Sequence, residues 1–259
     1  MTQRMPAFFL GHGNPMNAIS SNDWTAGWAA MGRENAHAKA VLCVSAHWQT
    51  SGTAVTAMSQ PRTIHDFGGF PPELYQVQYP APGDPTLANR VQELLAPVPV
   101  HRDEQWGLDH GTWGVLCHVF PDANVPVVQL SLDANKPAAW HYELGQRLAP
   151  LRDEGVLIVG SGNLVHNLRA YAWGQSEVAP YDWATSFEQH ARALMLAGDD
   201  AALIAYERLG QEAMQSIPTP EHYLPLLYVL AQRTMEDAIS FPVEGTEGGS
   251  ISMLCVRVG

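Results

Sequence analysis

"AVLCVSAHW", Ala40 to Trp48, decides the fold. Apolar or small residues run from Ala40 to Ala46 with no charge among them. Such a run predicts a strand buried on both faces, as parallel strands covered by helices are. Segments of the same character recur at "PAFFLG" (6–11), "VPVVQLSL" (125–132) and "GVLIVGSG" (155–162). Between them lie longer stretches of helical periodicity: "DPTLANRVQELLA" (84–96), "KPAAWHYELGQRLAPL" (136–151) and "YDWATSFEQHARALMLAG" (181–198). Strands alternating with helices predict an α/β fold in which a central mixed, largely parallel sheet is flanked by helices. "SISMLCVRV" (250–258) alternates apolar and polar residues and predicts one more strand, antiparallel and near an edge. With no internal repeat, low-complexity linker or break in composition, the expectation is a single domain over residues 1–259.

Composition narrows the function. Of 259 residues, 46% are hydrophobic and only 15% charged, which suits a compact enzyme-like body. The formal charge is -12, and no basic stripe is present to neutralise phosphates, so nucleic acid and anionic membrane are not expected partners. The apolar stretch before Gly11 is too short for a signal-peptide core or a membrane span, which predicts a cytoplasmic protein. The 3 cysteines, Cys43, Cys117 and Cys255, are widely spaced and contain no C-x-x-C, so they read as small core residues.

Ligands of an open α/β sheet bind beyond the carboxyl ends of its strands. Histidines gather at that end here. "FFLGHGNP" (8–15) presents His12 just past its strand, "AVLCVSAHW" runs into His47, and "GVLIVGSGNLVHNL" (155–168) leads into His166. If the strands are parallel, these imidazoles share one rim, as a metal site or as an acid-base centre. The glycine-rich turn at Gly160 to Gly162 lacks the third glycine of a dinucleotide fingerprint, having Val165 there, and no Walker lysine follows. Ser161 lacks a nucleophile-elbow frame, and the chain has no H-E-x-x-H. His37, His101, His141 and His190 read as surface residues.

In "GLDHGTWGVLCH" (107–118), a helix after Gly111 would separate His110 from His118 by about 12 Å, so only one can belong to the site. His110, beside Asp109 in a glycine-flanked turn, is the candidate, and His118 reads as helix packing. In "PTPEHYLPLLYVLAQ" (218–232), Thr219 could cap a helix that begins at Pro220, although Pro225 argues for a later start. Spacing alone does not bring His222 to the rim.

"GHGNP", "SAHW", "TIHDFGGFP", "QYPAPG", "GLDHGTWGVL", "VVQLSLD", "GSGNLVHNL" and "TPEHYLPLLYVL", in that order along nearly the whole chain, resemble the class III extradiol ring-cleaving dioxygenases, specifically bacterial members of the DOPA dioxygenase branch. The resemblance implies one mononuclear divalent metal on His12, His47 and His222, with His166 as acid-base residue and candidate fourth ligand. It places His110 beside the substrate, and it makes the loop of His65, Asp66 and Phe67 a substrate-binding element. The implied reaction opens a catechol such as L-DOPA with O2, by 4,5-cleavage to a muconate-type semialdehyde. An ordinary imidazole pKa of about 6.5 would let His166 serve as base and then acid.

Many enzymes of this class hold iron with two histidines and one carboxylate, whereas the third matching position here is His222, next to Glu221. A neutral three-histidine set suits Zn(II) as well as Fe(II), so the metal stays open, and a purified sample could carry zinc. A zinc-dependent hydrolase and a non-catalytic Memo-like binding protein are the rival readings. The Gly68-Gly69 loop is read either as a wall of the pocket or as a surface turn anchored by Phe67 and Phe70 in the core. The oligomeric state is not indicated.

Overall fold

The computed structural model describes residues 4–175 and 178–259. Its strands are β1 (Ala7–Gly11), β2 (Ala40–Thr50), β3 (Thr53–Thr56), β4 (Val100–Asp103), β5 (Val127–Asp133), β6 (Val156–Gly162), β7 (Ile239–Val243), β8 (Thr246–Glu247), β9 (Ile251–Ser252) and β10 (Cys255–Val258). Eight of them form one mixed sheet in the order β4-β3-β5-β2-β6-β1-β10-β7, and β8 pairs with β9. The neighbours β5, β2, β6 and β1 run parallel, and they are the four segments whose apolar runs predicted buried strands.

Both faces of this sheet are covered, and the alternation of side chains along each strand sorts residues between them. Phe9, Leu42, Val44 and Ile158 pack in one core with Leu87, Leu144, Phe187 and Leu227. Phe8, Leu10, Val41, Cys43 and Val159 turn the other way, toward Trp28, Met31, Trp113 and Leu116. The helix Pro85–Leu95 begins where Asp84 accepts hydrogen bonds from the backbone N–H groups of Thr86 and Leu87. The helix Asp182–Ala197 ends at Gly198 in a left-handed conformation. The stretch expected as one helix over 136–151 is two, Ala138–Arg147 and Pro150–Glu154, because Pro150 has no N–H to continue the first.

Two further expectations are corrected. "SISMLCVRV" is not one strand: β9 joins the small ladder with β8, while β10 lies antiparallel between β1 and β7, one place from the edge. His141 is not on the surface. It shares the buried face of its helix with Leu144 and Gly145, and its Nδ1 lies 3.0 Å from the Tyr228 hydroxyl. His37, His101 and His190 are exposed, as expected. Cys43 and Cys255 are buried and Cys117 half-buried, and burial pushes all three thiols up. No helix among the described residues is long and apolar enough to cross a membrane.

Candidate metal centre

Register brings the rim histidines together. Gly11 of β1 pairs with Gly162 of β6, so these two strands end level, and Ser45 of β2 pairs with Ser161 of β6; β2 runs on to Thr50, so His47 lies within that strand rather than past its end as the sequence suggested. His12 follows Gly11 directly. His47 falls in the stretch of β2, between Val44 and Gln49, where the register with β5 shifts, and an irregularity of that kind re-aims side chains. His222 arrives from a distant part of the chain. The helix that follows it, Leu224–Leu230, starts around Pro225 rather than Pro220, leaving 220–223 as a turn. The His222 carbonyl accepts a hydrogen bond of 3.0 Å from the Asn163 N–H, which pins that turn to the end of β6.

The ligand nitrogens of His12, His47 and His222 lie within 4.8 Å of one another. His12 Nε2 and His47 Nε2 are 3.2 Å apart. Two nitrogens that each bind one ion at about 2.0–2.1 Å stand roughly 2.9–3.4 Å apart, so this donor set suits a divalent metal. Two of the outer nitrogens are tied. Ser161 Oγ donates its one proton to the Gly111 carbonyl, so toward His12 Nδ1, 2.9 Å away, it can only accept. His12 therefore carries its proton on Nδ1 and turns a lone pair on Nε2 inward. His222 Nδ1 lies 3.2 Å from Glu221 Oε1, which directs that ring the same way, while Asp66 Oδ2 faces His47 Nδ1 at 3.6 Å, beyond hydrogen-bond reach.

Burial, reinforced by neighbouring imidazoles, holds His12 and His222 well below the ordinary histidine pKa. Burial and the facing His110 bring His47 to about 3, and burial brings His166 to about 4. All four are neutral near pH 7, the form that binds metal or accepts a proton. His166 stacks on His222 with ring centroids 3.4 Å apart, and groups with Glu221 and His222 rather than with His12 and His47.

His110 opens the helix His110–Val119 and lies 3.9 Å, centroid to centroid, from His47. Its carboxylate partner is Asp66, not the adjacent Asp109. Asp66 Oδ1 accepts from the His110 backbone N–H at 2.8 Å, and Oδ2 from His110 Nδ1 at 2.9 Å. Burial alone would raise the Asp66 carboxyl, but the bonds and charge of His110 outweigh it and hold the pKa below the usual range. Asp109 instead caps the helix at the Thr112 N–H and is bound by Ser45 and Gln129. Its helical neighbour His118 bonds the Asn17 carbonyl, away from the site.

A cavity of about 230 Å³ opens over these groups, walled by His12, His47, His110, His166 and His222 together with Phe70, Leu168, Tyr171, Trp173 and Ile251. His65, Asp66 and Phe67 stand behind this wall. His65 Nε2 lies 3.0 Å from the Val77 carbonyl, and the Phe67 ring packs edge-on against His110 at 5.4 Å. In the glycine loop it is Phe70 that faces the cavity. Ser161 and Glu221 are site residues to which the sequence reading gave no role; the close of β6 at the rim was the available signal for Ser161, and Glu221 stood out only as the neighbour of His222.

Residues 9–237 match the family described as the catalytic LigB subunit of aromatic ring-opening dioxygenase. The chain belongs to the LigB family. This LigB-family chain is 55% identical over 261 residues to the 4,5-DOPA dioxygenase extradiol of Escherichia coli K12, covering 99% of this chain and 95% of the relative. It is 41% identical over 225 residues to the protein of the same name from Beta vulgaris, covering 85% and 83%. A crystal structure of an uncharacterised Escherichia coli K12 protein matches with a TM-score of 0.87 at 50% identity, over 99% of this chain and 100% of that one. The LigB-family member is thus an extradiol ring-cleaving dioxygenase, which favours ring opening over the hydrolase and binding-protein readings, and LigB-family enzymes depend on a metal.

Proposed function

We propose that His12, His47 and His222 hold one divalent metal through Nε2, with Fe(II) in the working enzyme, and that the substrate is a catechol of the L-DOPA type, opened at its 4,5 bond. The observation that carries this reading is the inward convergence of three neutral imidazoles, with His12 Nε2 and His47 Nε2 3.2 Å apart and the outer nitrogens of His12 and His222 engaged. The substrate class rests on relatives that bear the name 4,5-DOPA dioxygenase extradiol. When bound, the metal supplies charge for the catechol oxygens and an electron path to O2.

The chain's own residues orient the ring and move protons. His166, kept neutral by burial, takes the proton of one catechol hydroxyl and returns it as the product forms. His110 keeps its Nδ1 proton and donates it in a hydrogen bond to Asp66, which leaves Nε2 free to accept a proton from substrate, and the carboxylate stabilises the imidazolium that results. Phe70, Leu168 and Ile251 present apolar surface to the ring.

Enzyme loaded with Fe(II) under anaerobic conditions is expected to turn L-DOPA yellow on admission of air, consuming one O2 per turnover. Zinc-loaded enzyme is expected to stay folded and inactive. Iron-loaded protein that takes up no oxygen with L-DOPA or any of a panel of catechols would overturn the reading. Asp66 is a positioning residue. Asp66→Asn is expected to lower kcat/KM by roughly 10–100-fold with metal content retained, which oxygen uptake and metal analysis on one preparation would check.

A further inference from the structure

Among the described residues, no Arg, Lys, Asp or Glu side chain lines the cavity over the histidines. A ring carrying a zwitterionic tail would therefore strand two charges if the tail stayed with it. A second cavity, of about 210 Å³, adjoins the first and shares His166 and Leu168 with it. Its remaining wall is Asn167, Arg169, Pro218, Thr219 and Glu221, so it presents one cation and one anion. Arg169 is exposed, and its guanidinium has no hydrogen bond or ion pair among the described residues. Glu221 uses Oε1 for both the Thr219 hydroxyl, at 2.8 Å, and His222 Nδ1, at 3.2 Å, which leaves Oε2 without a partner among the described residues.

The chain itself puts these charges at the mouth. Arg169 follows His166 by one short turn, and Glu221 directly precedes His222. The larger groove that carries Lys136, Glu207 and Arg208 shares no wall residue with the ring cavity. The recess beside Asn17 and Gly114, which does share His12 and His110, is only about 10 Å³ and uncharged.

We propose that the side cavity is the subsite for an α-amino acid tail on the catechol, with Arg169 holding the carboxylate and Glu221 Oε2 the ammonium. A guanidinium pairs with a carboxylate through two parallel hydrogen bonds, which adds geometric specificity to charge. A site built for both charges discriminates against analogues that lack either, because its own groups are then left unpaired. The inference rests on the reading that a catechol occupies the ring cavity.

The test separates the two. Four catechols are titrated calorimetrically into metal-loaded enzyme without oxygen: L-DOPA, 3,4-dihydroxyphenylpropionate without the ammonium, dopamine without the carboxylate, and 4-methylcatechol with neither. L-DOPA is expected to bind tightest. Arg169→Gln should weaken L-DOPA and dihydroxyphenylpropionate about tenfold while dopamine and 4-methylcatechol are unchanged, and Arg169→Lys should restore part of the loss. Equal weakening of all four, no change for L-DOPA, or no binding of any of them would overturn the subsite. The expected binding order with no oxygen uptake in air would sink the ring-opening assignment for L-DOPA and leave the subsite standing.

Discussion

Replacing His12, His47 or His222 with alanine is expected to remove the metal and the ring-opening activity together. Each ring supplies one of the nitrogens that lie within 4.8 Å of one another, so the variant keeps two ligands around an ion that needs at least three from the protein. The loss of affinity should exceed the roughly 10–100-fold that loss of an outer hydrogen-bond partner costs. Purified variants should therefore contain little metal by elemental analysis, and added Fe(II) should restore little activity. His166→Ala should behave differently. His166 groups with Glu221 and His222 and stacks on the latter, so its loss should leave metal content near that of the parent and lower the rate by about 10²–10⁴-fold, as expected for removal of a proton-transfer group. A His166→Ala protein as poor in metal as His12→Ala would make His166 a ligand and vacate the acid-base role assigned to it.

Gly162→Ala is expected to damage fold and site at once. A Cβ at Gly162 would lie 2.1 Å from the His222 carbonyl oxygen, the group that accepts the bond from Asn163. The obstacle is backbone, held in turn by the helix Leu224–Leu230, so it cannot swing aside as a flexible side chain would. Overpacking of this kind costs on the order of 3 kcal/mol, which in a chain of this size lowers Tm by roughly 6–12 °C. Gly160→Ala provides the comparison, since its Cβ would meet the Pro225 carbonyl oxygen at 2.4 Å, one turn further along the same segment. Both variants should melt early. Only Gly162→Ala should also bind metal weakly, because its clash falls on the residue that carries a ligand. Equal metal content in the two proteins would mean that the position of His222 does not depend on the close approach at Gly162.

The sequence by itself determined the four parallel strands and the end of the sheet where chemistry sits. Uncharged apolar runs of strand length allow little else, and three of the four lead into a glycine or histidine at the rim, which pointed to His12, His47 and His166, although β2 continues past His47 to Thr50. The resemblance of whole motifs, rather than spacing, pointed to His222. What local pattern could not resolve was contact between segments far apart in the chain. His222 reaches β6 only because its carbonyl docks on Asn163 and two glycines leave room for the backbone. The partner of His110 is Asp66, 44 residues away, and not its neighbour Asp109, whose carboxylate is taken up in capping the helix it precedes. His141 is buried because its helix turns that face toward Tyr228, although His is a residue the surface also accepts. Hydrophobic periodicity is a local property and survives in the sequence. Which polar group meets which across the core is set by how the layers dock, and only the tertiary structure decided that.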